Sequence, residues 1–112
     1  MQRGDIIVCA INGDYGKPRP AVIVQSNLFN ETHASISICP ITTHLIEAPL
    51  FRLLLSPTPS NGLKQNSQIM VDKITSLQKE KIRQKIGALS IDQVNSLDQA
   101  IRIWLNLTEQ LL

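Results

Sequence analysis

Gly16-Lys17-Pro18-Arg19-Pro20-Ala21-Val22-Ile23-Val24-Gln25-Ser26 is the stretch whose reading decides the fold. Two cations sit in a turn stiffened by two prolines, and the apolar run Ala21 to Val24 follows at once. Proline holds its own φ at about −65° and restricts the residue before it, so Arg19, between Pro18 and Pro20, has few backbone options. The apolar run reads as a buried strand. An arginine fixed at the edge of such a strand is well placed to meet an anion. The same residues also read more plainly, as a proline-initiated edge strand beside a solvated turn charge.

The flanking sequence continues the β pattern. Upstream, Ile6-Ile7-Val8-Cys9-Ala10-Ile11 reads as a first strand buried on both faces, and Asn12-Gly13-Asp14-Tyr15-Gly16 supplies turn chemistry. Strand two is expected over Ala21 to Gln25, followed by a polar loop with a short helical turn from Asn27 to His33. Ser35-Ile36-Ser37-Ile38-Cys39-Pro40-Ile41 alternates as a third strand with one polar face, ending at Thr42-Thr43-His44. Leu50 to Leu55 is a fourth, with Arg52 on one face, and Pro57 to Gly62 is a break. A strand begins at Gln68 and is expected to run through Asp72 and Lys73 to Leu77. Residues 78 to 86 fit either a short helix or a strand. Ser90 with Gln93 forms a capping box, and Ile91, Val94, Leu97, Ile101 and Trp104 or Leu105 follow at helical spacing. Short strands, tight turns and one final helix predict a mainly β fold, a small curled sheet or barrel closed by a C-terminal helix.

Composition narrows the partners. The 112 residues are one domain's worth of chain (1–112), and 43% hydrophobic content can build a core. A net charge of +2 permits an anionic partner without demanding one. Its positive residues gather at Lys73, Lys79, Lys81, Arg83 and Lys85, a run that reads as a solvated face or as a flank that steers nucleic acid. Cys9 and Cys39 each fall inside an apolar run without metal-ligand spacing, so they read as buried hydrophobes in a reducing, cytoplasmic compartment. No stretch has the length of a signal or membrane span.

The residues also carry a family pattern. Arg3-Gly4-Asp5-Ile6 resembles the RGDI opening of the MazF/PemK toxins, and Arg19-Pro20-Ala21-Val22-Ile23-Val24 their RPxLVV strand. Pro40-Ile41-Thr42-Thr43 is similar to their P-[VIC]-T-[ST] segment, Ser67 to Leu77 to the region around their D/E-Q-[IV], and Ile86-Gly87-Ala88-Leu89-Ser90 to their IGxLS entry to the last helix. Five motifs stand in order over essentially the whole chain. The resemblance implies an SH3-like (MazF/CcdB-type) β-barrel, a homodimer, and a sequence-specific endoribonuclease acting on single-stranded RNA without metal or other cofactor. It also implies a cognate antitoxin that inhibits the toxin and joins it in DNA-binding autoregulation.

Position by position, Arg19 matches the family's catalytic arginine and Thr42 its catalytic threonine or serine. Asp72 falls where the family often has an acid beside the RNA, and Lys73 replaces the usual glutamine. Lys17, Thr43 and Tyr15 complete the expected RNA contacts, Tyr15 as a base-stacker. The first loop is shorter than the family's and lacks the Glu-Gln or His-Glu pair that commonly precedes Arg-Pro.

The chemistry fits these residue types. RNA brings its own nucleophile, the 2′-hydroxyl, and the protein must stabilise a doubly charged phosphorane-like species. A guanidinium grips phosphate with a planar fork and stays charged, which makes it a clamp and proton donor rather than a base. Thr42 offers a hydroxyl to orient phosphate oxygen or the 2′-hydroxyl. His44 reads as a loop histidine or as an acid–base group. Two other readings share the fold: a non-enzymatic CcdB-like gyrase toxin, whose Trp-Gly-Ile ending is unlike Leu105 to Leu112 here, and an inactive RNA-binding barrel.

Overall fold

The computed structural model describes residues 1–11 and 17–107. Its elements are β1 (Asp5–Ala10), β2 (Pro18–Ile23), α1 (Asn27–Asn30), β3 (Ser35–Thr42), β4 (Arg52–Leu55), β5 (Ser67–Met70), β6 (Thr75–Gln78), β7 (Ile82–Ala88) and α2 (Ile91–Leu105), with 3-10 turns at Val71–Lys73 and Lys79–Lys81. The strands pair antiparallel in the order β4-β5-β3-β2-β1-β7, and β6 pairs with β3 beyond the end of β5. The fold is mainly β with one C-terminal helix, as the pattern predicts. Among the described residues the sheet curls without closing into a hydrogen-bonded ring.

Alternation along the strands builds two cores. Ile6, Val22, Cys39, Ile41 and Ile69 point to one face, where Leu97 and Ala100 of α2 cover them. Ile7, Cys9, Ala21, Ile23, Ile36 and Ile38 point to the other, the inner face, where Leu77 of β6 packs on them. Neighbouring residues of one strand must face opposite ways, so strands this apolar need cover on both sides. Cys9 and Cys39 therefore lie in different cores, unbonded, and burial pushes the Cys39 thiol up to about 12, which keeps it inert.

Three prolines set where the ladders stop. β2 begins at Pro18 rather than Ala21 because Pro18, Arg19 and Pro20 pair with Ala10, Cys9 and Val8 of β1. Pro20 has no N–H to give, and the ladder with β3 ends at Ala21↔Pro40, one residue short of it. Pro40 likewise sits in the gap between the β3–β6 ladder, which ends at Ile38↔Thr75, and the β3–β5 ladder, which starts at Ile41↔Ile69. The strand expected from Gln68 to Leu77 is broken there by the turn at Val71–Lys73. Residues 82–88 form a strand, bulged twice against β1, so that Ile82 reaches the inner core and Ile86 the helix-side core.

The ends are tied down by polar groups. Arg3 donates from Nε to the Val24 carbonyl at 2.7 Å and pairs with Asp98 of α2 at 2.7 Å. The capping box forms, with Ser90 Oγ accepting from Gln93 N and Gln93 Oε1 from Ser90 N. Leu97 and Ala100 are the buried face of α2, whereas Ile91 at its first turn is exposed. Trp104 lies 5.3 Å from Phe51, ring to ring, and remains partly exposed.

Candidate RNA-cleaving site

Across β2 and β3 each step forward on one strand is a step back on the other. Extending the register two places past Ala21↔Pro40 sets Arg19 opposite Thr42, where the ladder has ended and the strands are unpaired. The alternation puts both on the inner face, since Ala21 and Ile23 of β2 and Ile36 and Ile38 of β3 line that core. Arg19 is exposed, Thr42 half-buried, and they stand at the open end of the inner core. The registers extend this into one row across the sheet: Leu54, Gln68, Thr42, Arg19, Cys9, Ile82.

Each member of the pair is fixed locally. The carbonyl of Arg19 faces the Cys9 thiol at 3.6 Å. Thr42 Oγ1 accepts from His44 N at 3.0 Å, a turn that holds its rotamer. With one lone pair so engaged, the hydroxyl proton is what Thr42 has to offer an anionic oxygen. Lys17 is exposed just before β2, and Thr43 is exposed just after Thr42. These four residues share the splayed end. His44 is exposed in the same turn through its backbone contact with Thr42. Tyr15 lies outside the described residues.

Asp72 and Lys73 are placed differently. Because Thr42 pairs with Gln68 and Ile41 with Ile69, β5 runs away from Thr42 towards the turn that carries both. Lys73 is exposed there. Asp72 is bound by Arg52, Nε to Oδ1 at 2.8 Å and Nη2 to Oδ2 at 3.0 Å, with side chains only 10% and 15% exposed. The Arg52 hydrogen bonds hold the Asp72 carboxyl below its ordinary value, so it is ionised and both oxygens are occupied. Such a carboxylate is a weak proton acceptor. The sequence reading missed this partner, though a charge inside the apolar run Leu50 to Leu55 was a signal that one was needed. It also missed Gln68, which is 4% exposed and bonded to both backbone groups of Ile46.

The basic run starts beside the row. Ile82 stands two strands from Arg19 in it, about 10 Å at the usual strand spacing, with Lys81 and Arg83 on either side of it, Lys81 lining a cleft with Ile11 and Arg83 one with Met1, Asn30 and Glu31. Lys85 is further along β7 and pairs with the buried Asp5 at 3.2 Å.

Residues 2–105 match the description "PemK-like, MazF-like toxin of type II toxin-antitoxin system". The chain belongs to the PemK/MazF toxin family. A curated relative, the protein called "Probable endoribonuclease MazF" from Mycolicibacterium smegmatis, is 38% identical over 108 residues, covering 96% of this chain and 98% of its own. Among solved structures, Mycobacterium tuberculosis toxin MazF-mt6 superposes with a TM-score of 0.81 at 22% identity, covering 94% of this chain and 99% of that one. An endoribonuclease in complex with its cognate antitoxin, from a mycobacterial species, gives 0.79 at 22% identity, covering 98% and 99%. These likenesses establish the PemK/MazF fold over nearly the whole chain. Among the described residues no helix is long and apolar enough to cross a membrane.

Proposed function

We propose that this PemK/MazF toxin is an endoribonuclease that cuts single-stranded RNA at a short sequence motif, without a metal ion. The 2′-oxygen attacks the adjacent phosphorus, the bond to the 5′-oxygen breaks, and the products carry a 2′,3′-cyclic phosphate and a 5′-hydroxyl. Arg19 grips the non-bridging oxygens as negative charge builds and gives a proton to the departing 5′-oxygen, regaining one from solvent, while water at this exposed site takes the proton from the 2′-hydroxyl. Thr42 donates a hydrogen bond from its hydroxyl to a phosphoryl oxygen. Lys17, Thr43 and Tyr15 contact the RNA on either side. Lys73 and Asp72 act from the neighbouring turn, Asp72 with Arg52 as its counter-ion. In the cell the enzyme works in the cytoplasm as a homodimer, cleaves mRNA, stops growth and is held in check by a cognate antitoxin.

The observation that carries the reading is the strand register that sets an arginine against a threonine at an unpaired strand end, in a chain of this family. The test is cleavage of a long single-stranded RNA by purified protein in EDTA, beside Arg19→Ala, with the ends mapped. Discrete cuts with cyclic phosphate ends, lost in the variant, are expected. No cleavage by folded wild-type protein across many sequences would refute the reading and direct the search to a protein target such as gyrase.

A further inference from the structure

Thr43 to Glu47 lies beside Thr42 as an exposed turn, and it carries two apolar side chains into solvent, Leu45 at 45% and Ile46 at 39% exposure. Polar bonds tie the turn at two points, one from His44 N to Thr42 Oγ1 and the other through Gln68. Its side-chain amide donates from Nε2 to the Ile46 carbonyl at 2.7 Å and accepts at Oε1 from Ile46 N at 3.0 Å. Gln68 is itself the cross-strand partner of Thr42, and it is 4% exposed because the turn lies over it. One buried amide thus satisfies both backbone groups of a single loop residue, in the position next to Thr42 in the row that leads to Arg19.

We infer that Gln68 is a positioning residue for RNA selectivity: through Ile46 it fixes the turn 43–47 as a rigid wall beside the reacting phosphate. This rests on the proposed RNA-cleaving function. The wall acts on binding and choice of sequence, because neither Gln68 nor Ile46 is one of the groups that handle the phosphate. Loss of the tie leaves two backbone groups without their partner and the turn free to take several shapes, so several base sequences fit equally poorly.

Two substitutions test it. Gln68→Met keeps the volume and removes both hydrogen bonds. Gln68→Glu, once protonated, restores the same donor and acceptor pair, and burial raises the pH at which it protonates. Each is compared with wild type at the same pH on two oligonucleotides, one with the mapped motif and one with a single base changed, and amide exchange is read at Ile46. For Gln68→Met we expect KM to rise about tenfold with kcat within about threefold, discrimination between the oligonucleotides to collapse towards unity, and Ile46 N–H to lose protection. Gln68→Glu is expected to behave likewise at pH 8 and to return to within about twofold of wild type at pH 5. Unchanged KM and discrimination in Gln68→Met, or no recovery of Gln68→Glu at pH 5, would overturn the inference; the second comparison decides if Gln68→Met fails to fold. If wild type cleaves and Arg19→Ala does not while the Gln68 variants match wild type, this inference alone falls. If wild type cleaves no RNA, the proposed function falls and takes it along.

Discussion

At the scale of single residues, the proposed site depends on what two side chains can do that their near neighbours cannot. Arg19 is asked to bind two phosphate oxygens at once, and lysine keeps the charge but not the fork. Arg19→Ala is expected to lower kcat by about a hundredfold to a thousandfold, and Arg19→Lys to retain no more than about a tenth of wild-type activity, as measured by single-turnover cleavage. An Arg19→Lys enzyme as active as wild type would exclude the bidentate clamp. The Arg52–Asp72 pair makes a different kind of prediction. Asp72 has a lower pKa folded than unfolded, where a carboxyl titrates near 3.9, so protons favour the unfolded chain as the pH falls. The stability the pair contributes is whole above about pH 4 and is lost as pH drops through the folded value. Arg52→Ala should therefore cost about 1–3 kcal/mol between pH 5 and 8, and its melting curve should converge on wild type in thermal melts below about pH 4. A gap that persists at low pH would mean that Arg52 stabilises by packing and not through the carboxylate.

At the scale of elements, the break read at Pro57 to Gly62 is a built structure. Asn61 is 1% exposed, accepts from Thr58 N and Leu63 N at 3.0 Å each, and donates to the Ser56 carbonyl at 2.8 Å. This turn presses onto β7 so closely that a Cβ on Gly87 would stand 2.4 Å from the Asn61 carbonyl carbon. Gly87→Ala must push the turn off the strand, and Asn61→Ala removes a buried side chain together with its three bonds to the turn backbone; each is expected to lower stability by about 1–3 kcal/mol in urea unfolding. The contact between this turn and Gly87 was beyond reach of the sequence because it joins segments far apart in the chain. What the sequence did show is what is decided locally. Ile6 to Ala10, Ala21 to Ile23 and Ser35 to Ile41 are strands because each alternates or runs apolar over its own few residues, and Ser90 with Gln93 caps α2 within one turn. The strand drawn from Gln68 to Leu77 failed because Pro40, on another strand, withholds the donor that would have continued the ladder. The site divided in the same way. Arg19 and Thr42 are singled out by motifs on single strands, whereas Gln68 and Arg52 make their bonds with partners about twenty residues away in sequence.

At the scale of the whole molecule, the two cores explain how the proposed reacting groups can be exposed on a rigid frame. The helix-side core fixes the sheet, the inner core runs out at Thr42 and Arg19, and the charged start of β7 stands beyond Cys9 on the other side. RNA lying along the row from Leu54 towards Ile82 would pass the turn 43–47, then the Arg19–Thr42 pair, then Lys81 and Arg83. The two ends of that path do different work. The first carries no lysine or arginine and is shaped, suited to telling bases apart; the second is cationic, suited to holding phosphates of any sequence. Lys81 and Arg83 are both exposed, so each can neutralise a phosphate and release the cation condensed on the RNA there. Neutralising them as Lys81→Gln and Arg83→Gln is expected to weaken RNA binding to the same degree for cognate and altered motifs, and to flatten the plot of log affinity against log salt by about 0.7 for each phosphate that is no longer neutralised. Binding titrations of an uncleavable 2′-deoxy oligonucleotide over roughly 50 to 300 mM salt would measure both. A salt slope that does not move would place the RNA on another path across the sheet, and a weakening confined to the cognate motif would make this edge a reader of bases.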